Sequence, residues 1–83
     1  MDNTNHMTTT PEETVARIFG RDASSIDDAS SPETIAEWDS LGHVTLVIDL
    51  ESTYVVSFAP EETMALTNVG AIKSALASRG VSW

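Results

Sequence analysis

Apolar residues recur at helical spacing in three stretches of the chain, and no stretch alternates long enough to make a sheet. Val15, Ile18 and Phe19 stand at i, i+3 and i+4 behind Thr10-Pro11-Glu12-Glu13. That tetrapeptide is a helix start, with Thr10 as cap, Pro11 in the first turn and Glu13 closing a capping box. Gly20 can supply a left-handed C-terminal cap, so a first helix is expected over Pro11–Phe19. The second helix should begin behind Asp39 or Ser40, either of which can accept from its free N–H groups, and run from Leu41 to about Thr53. Its apolar residues form two stripes: Leu46, Val47, Leu50 and Tyr54 on one side, Leu41, Val44 and Ile48 on another. A helix apolar on two sides is either buried in the middle or uses one side for a partner. With few other helices to bury it, the second option is expected, with Leu41, Val44 and Ile48 as the partner-facing stripe beside Ser40.

Between these helices, residues 20 to 39 are rich in turn formers, and only Ile26, Ile35 and Trp38 can anchor them to a core. Val55-Val56-Ser57-Phe58 is β-prone but has no second strand to pair with, so it reads as a connector with Val56 and Phe58 plugging the core. Ala59-Pro60-Glu61-Glu62-Thr63-Met64 predicts a short helix with its acids at the positive end. Thr67 or Asn68 then caps a last helix whose inner face is Val69, Ile72, Ala75 and Leu76, closed by Arg79 and Gly80. The fold expected is all-α, a four-helix bundle of three main helices and one short one with a long first loop. Residues 1–9 read as a polar tail or as a cloning junction ahead of a start at Met7, residues 10–80 as the domain, and residues 81–83 as a C-terminal tail.

Composition narrows the function. An 83-residue chain is a single small domain, and without cysteine it has neither disulfides nor thiolate metal ligands. Thirteen Asp and Glu against four Lys and Arg give a formal net charge of −9, which repels nucleic-acid phosphates and anionic lipid and favours basic protein partners. No apolar run approaches the roughly 20 residues needed to span a bilayer. The chain is therefore expected to be cytoplasmic and monomeric, with no nucleic-acid or membrane partner. Asp27-Asp28 and Glu61-Glu62 lack the alternating ligand spacing of a calcium loop and read as solvated acidic surface.

The chemistry concentrates at Ser40. A serine at the mouth of a helix places its hydroxyl where the positive dipole end and unpaired N–H groups favour a negative substituent such as a phosphate. Asp39-Ser40-Leu41 at the start of the second helix, Leu46/Leu50/Tyr54, Phe58-x-Pro60-Glu61-Glu62 and Leu66-Thr67-Asn68-Val69-Gly70-Ala71-Ile72 together make the chain similar to the acyl carrier protein family, from about Glu12 to Leu76. The resemblance implies an acyl-carrier-like bundle in which Ser40 bears a covalent 4′-phosphopantetheine. It implies that Asp39 helps a phosphopantetheinyl transferase position metal and coenzyme A. It also implies that Leu41, Val44 and Ile48, with Glu61 and Glu62 on the short helix, meet the transferase, an acyl- or aminoacyl-loading ligase or transferase, and synthase or modifying enzymes with basic docking patches. Such a protein is a shuttle with no catalysis of its own. Gly42, His43 and Thr45 stand where fatty-acid carriers usually bear acids, so the run from Trp38 to His43 looks more like discrete carriers of polyketide or other specialised pathways.

Two other readings compete. In the first, the chain is an acidic interaction module in which Ser40 only caps a helix. In the second, Asp39, Ser40 and His43 supply the residue types of a hydrolase triad, but the chain is too short to build a pocket and an oxyanion hole around them.

Overall fold

The Thr10 hydroxyl accepts from the Glu13 N–H at 3.1 Å while the Glu13 carboxylate accepts from the Thr10 N–H at 2.9 Å, completing the capping box that starts the first helix. The computed structural model describes residues 9–83, so the expected N-terminal tail lies, apart from Thr9, outside the described residues. Among these, four α-helices and no strand are present: α1 (Pro11–Phe19), α2 (Ser40–Tyr54), α3 (Pro60–Ala65) and α4 (Val69–Ala77), with a 3₁₀ turn at Ala23–Ser25. Gly20 ends α1 at φ 67°, where a side chain would be strained.

α1 packs against α2 and α4 around one core. Val15 and Phe19 from α1, Leu46, Leu50 and Tyr54 from α2, and Val69, Ile72 and Leu76 from α4 meet there. The long first loop belongs to that core. Ile26, Ile35 and Trp38 are all buried, and the carbonyls of Asp28 and Ser30 accept from the Gly70 and Val69 N–H groups at 2.9 and 3.1 Å. The Asn68 side chain accepts from the Ala71 N–H, so the loop and Asn68 together satisfy donors that a helix start leaves free. Phe58 plugs the core from the connector, with Val56 packed beside it. The last three residues, expected as a tail, fold back instead: Val81 donates to the Leu76 carbonyl at 3.1 Å, and Val81 and Trp83 pack on the core.

Arg79 does more than close α4. Its Nη2 donates to both oxygens of the Glu62 carboxylate at 2.5 and 2.6 Å, Nε and Nη1 donate to the Ser57 and Ala75 carbonyls, and the guanidinium lies over the Phe58 ring at 4.7 Å. One side chain thus ties α4, the connector and α3 together. Arg79 first, and then the Ala59 N–H, hold the Glu62 carboxyl below the usual glutamate range. A depressed carboxyl contributes stability that is present above its ordinary range and lost as pH falls through the folded-state value. The stability gap between wild type and Arg79→Gln is therefore expected to narrow on acidification from about pH 6 to about pH 2. Thermal unfolding of both chains across that range checks this, and a constant gap would contradict it.

Val55 ends α2 at φ 55°, ψ 54°, a left-handed conformation that a β-branched residue adopts only at a cost. It is 87% exposed, so no packing compensates. Val55→Gly is expected to raise stability by about 0.5–1 kcal/mol, the relieved backbone cost less the extra freedom glycine gives the unfolded chain. Urea unfolding reads the difference; a loss of stability would show that Val55 makes a contact that matters more than its backbone.

Candidate functional site

The site is built on the end of the first loop. The Ile35 and Trp38 N–H groups donate to the Ser31 and Ile35 carbonyls, closing turns that send the Trp38 ring inward. There it is 1% exposed and stacked on Phe19 with ring centroids 5.6 Å apart. The next residue, Asp39, caps α2: its Oδ1 accepts from the Gly42 N–H at 2.8 Å. Ser40 is therefore the first residue of α2 and not its cap. It is exposed, and its hydroxyl makes no hydrogen bond to another described residue.

Gly42 is required by the close approach of α2 to the loop. A Cβ there would lie 2.3 Å from the Glu37 carbonyl oxygen and 2.9 Å from the Phe19 ring, so backbone would have to move. One residue on, the His43 imidazole bridges two elements. Its Nδ1 accepts from the Trp38 Nε1–H at 2.9 Å and its Nε2 meets the Thr63 carbonyl at 2.8 Å. An indole N–H only donates and a carbonyl only accepts, so the imidazole proton is assigned to Nε2. Both ring nitrogens are thus occupied, and neither serves Ser40 as a base in this arrangement.

The two stripes of α2 separate as their spacing requires. Leu46, Val47, Leu50 and Tyr54 are buried, while Leu41, Val44 and Ile48 are 77%, 53% and 61% exposed on the side that begins at Ser40. Met64 on α3 is exposed as well, and an open groove of about 590 Å³ runs between the loop end, α2 and α3, lined by Pro32, Trp38, Ser40, His43, Met64 and Leu66 among others. Glu61 and Glu62, paired in the sequence, part company here. Glu61 faces solvent, whereas Glu62 is engaged by Arg79 and by the Ala59 N–H.

Each of the four basic side chains is ion-paired. Arg17 meets Asp49 and Arg21 meets Glu37, both at 2.7 Å; Lys73 meets Glu12 and Asp28; Arg79 meets Glu62. Asp28 and Glu62 are thus not the simply solvated acids their sequence suggests. The Arg21 guanidinium, more than any other group, lowers the Glu37 carboxyl from its usual range, and Asp28 followed by Glu12 raises the Lys73 ammonium. Asp22, Asp27, Glu33, Asp39 and Glu61 take no part in these pairs, so among the described residues the surface carries unpaired acids and no unpaired Lys or Arg. No helix among the described residues is long and apolar enough to cross a membrane, and no three of their His, Asp and Glu side chains cluster to hold a metal ion.

Comparison with protein-family models found no match, and comparison with curated proteins found none either.

The bridging role of His43 and the bareness of Gly42 are absent from any reading of α2 by periodicity. The only local signal is that both interrupt an otherwise apolar helix start. Gly42→Ala is expected to destabilise the protein by about 1–3 kcal/mol, because the methyl meets backbone and an aromatic ring on two sides. Urea unfolding measures this, and an unchanged stability would mean that α2 is not held against Glu37 as described.

Proposed function

We propose that this chain is an acyl carrier of the discrete, specialised-pathway kind, with an acyl-carrier-like bundle and with Ser40 as the residue that bears 4′-phosphopantetheine. The observation that carries the reading is the placement of Ser40. It opens a helix with a free, exposed hydroxyl, and Asp39 has taken over the capping that would otherwise account for a serine there. The same contact removes capping as the role of Ser40, which the plain interaction module had assigned to it. When bound, the arm supplies a thiol that holds an acyl or aminoacyl group as a thioester.

The chain's own residues then have distinct parts. The Ser40 hydroxyl is the acceptor, with the helix start favouring the phosphodiester's negative charge. Asp39 turns Oδ1 to the Gly42 N–H and is exposed beside Ser40, where its carboxylate would help a transferase position metal and coenzyme A. Leu41, Val44 and Ile48 give partners a small apolar landing strip, and Glu61 marks its far side on α3. A strip of this size suits weak, repeated docking, and unopposed negative charge steers partners whose docking patches are basic. Those partners are the transferase, a loading ligase or acyl transferase, and the synthase or modifying enzymes that take the cargo. A tether raises the local concentration of the cargo at each of them in turn. The carrier works as a cytoplasmic monomer and leaves the chemistry to its partners.

Incubation with a broad-specificity phosphopantetheinyl transferase, magnesium and coenzyme A is expected to add one phosphopantetheine to the intact mass of the wild type and none to Ser40→Ala. A folded wild-type chain that gains nothing would overturn the reading.

A further inference from the structure

α3 is six residues long and contributes no buried residue. A helix this short is weakly held by its own hydrogen bonds; the buried Phe58 and Leu66 anchor the chain on either side of it, and side-chain contacts from neighbouring elements fix the turns between them. Two do so. Arg79 grips Glu62 on the side of α4. On the side of α2, the His43 Nε2 meets the Thr63 carbonyl at 2.8 Å, a shorter contact than the 3.3 Å bond that carbonyl accepts from the Leu66 N–H.

The same imidazole accepts from the buried Trp38 indole at 2.9 Å, and the planes of the two rings lie 14° apart. Trp38 stands two residues before Ser40 and His43 three residues after it. One side chain therefore joins the loop that delivers Ser40 to the helix on the opposite wall of the groove. Nothing else among the described hydrogen bonds and ion pairs links α3 to the start of α2 or to Trp38.

We infer that His43 is a positioning residue: by bridging Trp38 to Thr63 it latches α3 against the Ser40 loop, and so holds together the surface that a modifying enzyme must grip. This rests on the reading of Ser40 as the attachment residue. Both His43 nitrogens are engaged by Trp38 and Thr63 and neither bonds the Ser40 hydroxyl, so its loss should weaken recognition and leave the chemical step alone. Removing the imidazole leaves the Trp38 N–H unpaired in the core and frees one side of α3, while Arg79 keeps the other.

The test uses the full chain as wild type, His43→Ala, His43→Gln and Trp38→Phe. In His43→Ala, amide hydrogen exchange in α3 is expected to quicken about tenfold while that of α4 stays unchanged, and the Trp38 indole N–H resonance moves. With the transferase, KM is expected to rise about tenfold with kcat within about twofold, and glutamine, which offers an acceptor and a donor, restores part of both effects. Trp38→Phe keeps the stacking on Phe19 but unanchors the imidazole; it gives an intermediate effect and carries the test should the alanine variant not fold. Unchanged α3 exchange in a folded His43→Ala chain, loosening of α3 and α4 together, or a fall in kcat at constant KM would each overturn the latch. A wild-type chain that is never modified would overturn the carrier reading and the kinetic half of this inference, while the exchange data decide the latch by themselves.

Discussion

The burial of Trp38 is the constraint on which the rest depends. A loop of about twenty residues would ordinarily cost a domain this small more order than it returns. Here the indole enters the core with 1% of its surface left exposed, stacks on Phe19 and finds His43 for its N–H, so a large apolar surface is buried without an unpaired donor. Truncating a residue so placed costs about 3–5 kcal/mol, a sizeable share of the stability of any small domain. With Trp38 fixed, Asp39 has one position from which to cap α2, and Ser40 is presented at the helix mouth as a consequence. The same loop, pinned by Ile26 and Ile35, lends its Asp28 and Ser30 carbonyls to the start of α4. Packing of the loop and presentation of the serine are one arrangement.

Charge is sorted with similar economy. The few Lys and Arg side chains are all spent within the molecule, on pairs that fasten α1 to α2, α1 and the loop to α4, α3 to α4, and the start of the first loop to its end. Individually, exposed pairs of this kind contribute little, and salt weakens them further. Their larger effect is on what remains among the described residues: acids without an unpaired Lys or Arg to oppose them, beside an apolar strip that the fold leaves uncovered. Such a surface suits the carrier proposed above, which would meet several enzymes and leave each of them: attraction at a distance, a small contact at the end.

Much of the fold was legible because its signals are local. The box of Thr10 and Glu13 with Gly20 behind it bounds α1 by chemistry within three or four residues, and Asn68 does the same for α4. The two stripes of α2 could be told apart by spacing, since a helix whose neighbours are few cannot bury both. What the sequence hid depends on residues brought together by the fold. His43 is unremarked as a polar residue on a helix edge until Trp38 and Thr63 are placed on either side of it. Arg79 reads as a last-turn cation and becomes the hub that pairs with Glu62, so an acid expected at the partner surface also ties α3 to α4. Val55 in a left-handed conformation runs against its own propensity, which is why no local rule points to it. The final residues look like a tail only while the apolar surface that receives Val81 and Trp83 is unknown.

The absence of cysteine offers the most direct measurement of the central claim, that Ser40 carries a thiol-bearing arm. A thiol-specific chromogenic reagent applied to the unfolded protein, repurified from transferase and coenzyme A after treatment, counts thiols against a background of zero. One thiol per chain is expected in the wild type, with none in Ser40→Ala and none before treatment. No thiol in the treated wild type, or an equal thiol count in Ser40→Ala, would contradict it.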